Sequence, residues 1–157
     1  AGQIRTEISG VEGKIPTSIG GRNYILKSQA ELVSASGFVN KTFNFSSDLL
    51  SNLSKIKTVT ISCDVEGSNV TYFNNEKRYG LACSAEIDGV LHYWEVWQTE
   101  DTTKKRISQT FTVPEGKSIT NLNTPILWIR SGGNIKVSNP KFQNSIQMNM
   151  PYKITIK

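Results

Sequence analysis

From residue 22 onward the chain alternates apolar and polar residues in short runs. The cleanest is "TVTISCDVEG". Val59, Ile61, Cys63 and Val65 fall on one side and Thr60, Ser62, Asp64 and Glu66 on the other, the period of a half-buried strand. Comparable runs are "RNYILKS", "FVNKTFNF", "YGLACSAEID", "VLHYWEVWQ", "KRISQTFTVP", "PILWIRS", "NIKVSNPKF" and "YKITIK", punctuated by Asp88-Gly89, Pro114-Glu115-Gly116 and Gly132-Gly133-Asn134. Only "SSDLLSNLSK" reads as helical, and it is brief. About nine short strands with turn chemistry between them predict an all-β fold, an antiparallel β-sandwich.

The opening differs. Ile4, Ile8, Val11 and Ile15 follow the spacing of a coiled-coil seam, which Gly10 and Gly13 weaken and Pro16 ends. Two readings stand: a flexible linker, or the end of a helical stalk that would assemble several copies through the segment before residue 16. Gly20-Gly21 separates this piece from the strand-rich remainder of the chain, so residues 1–19 are expected to be linker or stalk and residues 20–157 one sandwich domain. The start "AGQIRTEISG" reads as a cut from a longer protein.

Asp88-Gly89 between two alternating runs is a strong hairpin signal, because a type I′ turn needs positive φ at both central residues. It fixes a register. Ile87 faces Val90, Ala85 faces His92, Cys83 faces Trp94, Leu81 faces Val96 and Tyr79 faces Gln98; this largely apolar face is assigned to the core, with His92 half-buried on it. The opposite face carries Glu86 beside Leu91, Ser84 beside Tyr93, Ala82 beside Glu95 and Gly80 beside Trp97, with Arg78 just beyond. Rings, carboxylates and a guanidinium beside small residues suit a sugar, whose C–H face stacks on an aromatic ring while planar polar groups bind its hydroxyls. The competing reading buries both faces, and a one-residue slip would exchange them. In "PILWIRS", inward Leu127 and Ile129 leave Trp128 and Arg130 pointing the other way, to solvent or the same groove. The candidate saccharide-binding set is therefore Tyr93, Trp97, Arg78, Glu86, Glu95, Trp128 and Arg130. Tyr72 and Phe73 lie in an Asn-rich stretch read as a loop, where they act as loop anchors or contact residues.

Composition narrows the classes. The net charge of +5 comes from scattered lysines and arginines rather than the dense basic stripe of a nucleic-acid binder, so no nucleic acid is expected. No run of about 18 apolar residues is present to enter a membrane, and the first twenty residues lack the apolar core of a signal peptide. Cys63 and Cys83 fall at inward strand positions and are expected to be buried free thiols. Asn-x-Ser/Thr triplets at Asn40, Asn44, Asn52 and Asn69 arise easily by chance in a chain this rich in Asn, Ser and Thr.

At "GGRNYILKSQ" the chain resembles the carbohydrate-binding-module-type jelly rolls found in tail and baseplate proteins of phages infecting Gram-positive bacteria, the accessory baseplate and tail-associated proteins of phages of lactic acid bacteria among them. The pieces that carry the resemblance are Gly21-Arg22-Asn23, Phe111 to Pro114, and Asn139-Pro140-Lys141, in that order between Gly20 and Gln143. The resemblance implies a jelly roll and a role in adhesion. Its partners would be host cell-wall polysaccharide and other baseplate or tail proteins, and its place the virion, acting outside the cell. Many such modules hold a structural calcium through acidic residues near both ends, but Ile135 to Lys157 contains no Asp or Glu, so calcium is not supported and no cofactor is expected.

An enzyme is not expected. Glu86 and Glu95 share a face, but at about 3.4 Å per residue they are roughly 14 Å apart. Glycosidase carboxylate pairs need about 5 to 9.5 Å. No metal spacing, phosphate loop or Ser-His-Asp set is present in the sequence.

Overall fold

The computed structural model describes residues 21–35 and 38–144. The expected linker or stalk over residues 1–19 and the strand expected in "YKITIK" lie outside the described residues. Within them the regular secondary structure is almost entirely β. In chain order the strands are β1 (Glu31–Val33), β2 (Val39–Thr42), β3 (Thr58–Thr71), β4 (Arg78–Ala82), β5 (Ala85–Ile87), β6 (Val90–His92), β7 (Glu95–Gln98), β8 (Thr102–Thr112), β9 (Ile119–Leu122), β10 (Ile126–Arg130) and β11 (Gly132–Asn144). The segment read as helical forms one short helix, α1 (Ser47–Leu50), and a single 3₁₀ turn, Leu53–Lys55.

Two four-stranded antiparallel sheets, ordered β1-β11-β3-β8 and β2-β10-β4-β7, face each other, with a smaller sheet β6-β5-β9 beside them. The chain passes between the large sheets at β1 to β2, β3 to β4, β7 to β8 and β10 to β11, each time to the strand holding the same place in the facing sheet. That winding is a jelly roll.

Alternation delivers the core. Val59, Ile61, Cys63 and Val65 of β3 and Ile135, Val137 and Phe142 of β11 point inward against Tyr79 and Leu81 of β4, Val96 of β7, and Leu127 and Ile129 of β10. Val137 and Phe142 are five residues apart, which in a regular strand would put them on opposite faces. A bulge between Ser138 and Lys141 adds one residue, with Asn139 at φ 53°, and so turns both inward. Asn23 secures the bulge. Its Nδ2 donates to the Pro140 carbonyl at 3.0 Å and to Ser28 Oγ at 3.0 Å, while its Oδ1 accepts from the backbone N–H of Phe142 at 3.1 Å and of Ile25 at 3.0 Å. Arg106 holds the other side, donating to the Asn139 carbonyl, Asp64 and Ser62. Nearby, Phe111 stacks on Trp94 with centroids 5.2 Å apart, and Val113 is buried.

Some expectations need correction. Among the described residues the strands number eleven, because β1 and β9, three and four residues long, carry too little alternation to register and because each arm of the Asp88-Gly89 hairpin divides in two, into β4 and β5 and into β6 and β7. "RNYILKS" forms no strand and contributes only one bridge, Ile25 to Phe45. The Asn-rich stretch is strand as far as Thr71 and then a tight turn at Asn74 and Asn75, whose φ values of 50° and 63° suit asparagine. Gly132-Gly133-Asn134 is not a free turn but the irregular start of β11, where Gly133 at φ 109° comes close to the Asn69 carbonyl.

Candidate binding surface

The hairpin folds in the expected register. Asp88 and Gly89 take φ of 48° and 81°, and Ile87 pairs with Val90, Ala85 with His92, Leu81 with Val96 and Tyr79 with Gln98. The hairpin is divided, however. Its stem, β4 and β7, belongs to a large sheet and its tip, β5 and β6, to the small one, because β9 pairs with β5 from the other side. Trp94 is core, as expected. His92 is not: β6 is the outer strand of the small sheet, and Val90, Leu91 and His92 are all exposed.

On the outer face of β2-β10-β4-β7 one row runs Asn40, Trp128, Gly80, Trp97. Gly80 has no side chain to separate its neighbours, and the two indoles lie with centroids 6.2 Å apart. One row along, Arg130 pairs directly with Arg78. The Arg78 guanidinium is 5.3 Å from the Trp97 centroid and 5.4 Å from that of Trp128; the Arg130 guanidinium is 5.7 Å from Trp128 and 5.5 Å from Phe38. Phe38 meets Phe73 edge to face at 5.2 Å. Rings and cations therefore alternate along this surface as Phe38, Arg130, Trp128, Arg78, Trp97, each contact of the kind worth about 0.5–1 kcal/mol where exposed.

The members differ in what they offer a ligand. Trp97 is 43% exposed, whereas Trp128 is 4% exposed and supports the surface rather than presenting a ring. Arg78 donates through Nε and Nη2 to Glu76 Oε1 at 3.1 and 3.0 Å. Arg130 has no such acceptor: its Nε is buried without a hydrogen-bond partner, and no ion pair involves it among the described residues. Beside Arg78 opens a hollow of about 390 Å³ lined by Tyr72, Asn75, Glu76, Lys77, Thr99 and Glu100. Tyr72 is 70% exposed at its rim with Lys77 Nζ 5.1 Å from its ring, and Lys77 pairs with Glu100 at 3.2 Å.

The structure thus brings together Arg78, Trp97, Trp128 and Arg130. Glu95, half-buried opposite Ala82, lies one row from Trp97. Tyr93, 71% exposed, is on the link between β6 and β7, and Glu86 is in the small sheet between Leu91 and Asn121. Sequence reasoning leaves Phe38, Glu76 and Lys77 out of the set. A signal for the last two is the Asn74-Asn75 pair, whose tight turn folds them back beside Arg78.

Among the described residues no cluster of three or more His, Cys, Asp or Glu is arranged to hold a metal. The two cysteines are free and buried, and burial pushes the Cys63 thiol up to about 12 and that of Cys83 well above its ordinary value, which keeps both from acting as nucleophiles. Compared with protein-family models and with curated proteins, the chain finds no match.

Proposed function

We propose that this domain is a non-catalytic binding module that holds saccharide on the outer face of β2-β10-β4-β7. The observation that carries the reading is the exposed Trp97 ring, backed by Trp128 and edged by the Arg78 guanidinium. The ring offers an apolar face to a pyranose, and Arg78, Glu76 and the polar wall of the adjoining hollow offer donors and acceptors to its hydroxyls. Together with the resemblance, this surface supports a domain carried on a phage tail or baseplate and adhering to the cell-wall polysaccharide of a Gram-positive host. One shallow site binds weakly, and many copies on a particle would make it effective.

A structural role in the particle has its own observation. Leu91 of β6 and Tyr93 just beyond it, at 42 and 71% exposure, are large side chains left open beside the small sheet, of the kind buried in protein contacts, and Val90 at the hairpin tip is 60% exposed. The two readings fall on different surfaces. Pull-down of the domain on Gram-positive cell walls, comparing wild type with folded Trp97→Ala and Leu91→Ser, separates them. Adhesion requires that Trp97→Ala loses wall binding and Leu91→Ser keeps it. Wild type that binds no wall would make the domain a structural part.

A further inference from the structure

Arg130 and Arg78 face each other across β10 and β4 with a single carboxylate, Glu76, hydrogen-bonded to one of them. Like charges directly opposite in a sheet repel, and a guanidinium placed for structure alone normally finds a carboxylate or carbonyl for its donors. Among the described residues Arg130 finds neither. It is held by Phe38 and Trp128, which fix its plane without consuming its hydrogen-bonding capacity. Asn40, its neighbour on the next row of β2, is exposed and neutral. The surface therefore carries a cation without an ion-pair partner among the described residues, with Arg78 between it and the exposed Trp97.

Resting on the saccharide reading above, we infer that the ligand is an anionic saccharide, its phosphate or carboxylate bound at Arg130 and Arg78 and its sugar ring against Trp97. The planar fork of arginine matches two oxygens of either group at once, which a lysine cannot reproduce. An anion here would accept from the guanidinium of Arg130 and relieve the repulsion between the two arginines. Glu76, already bound to Arg78, orients that side chain and limits the excess charge of the arginine pair to about one.

The test is NMR titration of the isotope-labelled domain with glucose, glucose 6-phosphate, glucuronate and inorganic phosphate, following the Trp97 indole N–H and the Arg130 Nε–H. At low salt the two charged sugars are expected to bind at least tenfold tighter than glucose and to shift both signals, and their ratio reports whether phosphate or carboxylate is preferred. Arg130→Gln should reduce them to the level of glucose, with Arg130→Lys between. If Arg130→Gln does not fold, added salt serves on the wild type, weakening the charged sugars and leaving glucose unchanged. Equal binding of glucose and the charged sugars, with the Trp97 signal shifting, overturns the anionic preference and leaves saccharide binding standing. Inorganic phosphate binding as tightly as glucose 6-phosphate also overturns it, since the ring then adds nothing. No shift with any sugar removes both proposals.

Discussion

Trp97 and Trp128 approach to 6.2 Å because the residue between them, paired with both, is Gly80. A Cβ at Gly80 would be 2.7 Å from the Trp97 Cα and 2.9 Å from the Val96 carbonyl carbon, backbone atoms that cannot swing aside. Gly80→Ala is expected to push β7 from β4 and destabilise the fold by about 1–3 kcal/mol. Denaturant unfolding measures the loss, and the near-ultraviolet circular dichroism of the indole pair should change with it.

The tryptophans three residues apart on the hairpin should respond in opposite ways. Trp94→Ala opens a cavity against Phe111 and is expected to cost about 3–5 kcal/mol. Trp97→Ala removes a half-exposed ring and is expected to cost about 1 kcal/mol or less. Similar losses from the two would overturn the division between core and surface.

Asn23 makes four hydrogen bonds, three to backbone and one to Ser28 Oγ, and two of them reach residues near the opposite end of the described chain. Asn23→Ala leaves the Phe142 N–H and the Pro140 carbonyl without these partners, an expected loss of about 2–3 kcal/mol. Asn23→Asp keeps both acceptor contacts and loses the donors, so its unfolding midpoint should fall between alanine and wild type.

Alkaline pH should destabilise the domain. Burial raises the Cys63 thiol from 9.0 to about 12 and the Tyr79 hydroxyl, which donates to the Glu100 carbonyl at 2.6 Å, from 10.0 to about 12. Between those values the unfolded chain has released these protons and the folded chain keeps them. Stability is therefore full below about pH 9 and falls as pH rises towards 12. Urea midpoints across that range should decline, less steeply in Tyr79→Phe. A thiol reagent at pH 8 should find no reactive cysteine in the native domain and two after denaturation.

What the sequence discloses depends on the range of the forces involved. Turn chemistry and period-two alternation are local, so the Asp88-Gly89 hairpin, its register and the inward set of β3 can be read directly. The partition of that hairpin between two sheets depends on β9, more than thirty residues from the paired part of β5, and nothing in "VLHYWEVWQ" announces it. His92 departs from its expected place for this reason: alternation gives a side, but whether another layer covers that side is a tertiary fact. The same limit applies to Trp128, which takes the expected face yet is covered there. The site is half legible, since shared strands bring Trp97 and Arg78 together, whereas Phe38 and Arg130 join them only through the order of strands in the sheet.

The hydrogen bonds of Asn23 also decide how the unit can be joined to other chains. Gly21 lies against the Gln143 side chain, and the Tyr24 N–H donates to the Phe142 carbonyl at 3.0 Å, so the two ends of the described residues meet at one corner of the sandwich. Bounded at those ends, residues 21–144 would make a cassette. It can be spliced into a surface loop of a host fold without prising the loop apart, or cut open at Asp88-Gly89 and rejoined at the corner by a short linker, with the order of its residues permuted and the winding of its sheets unchanged.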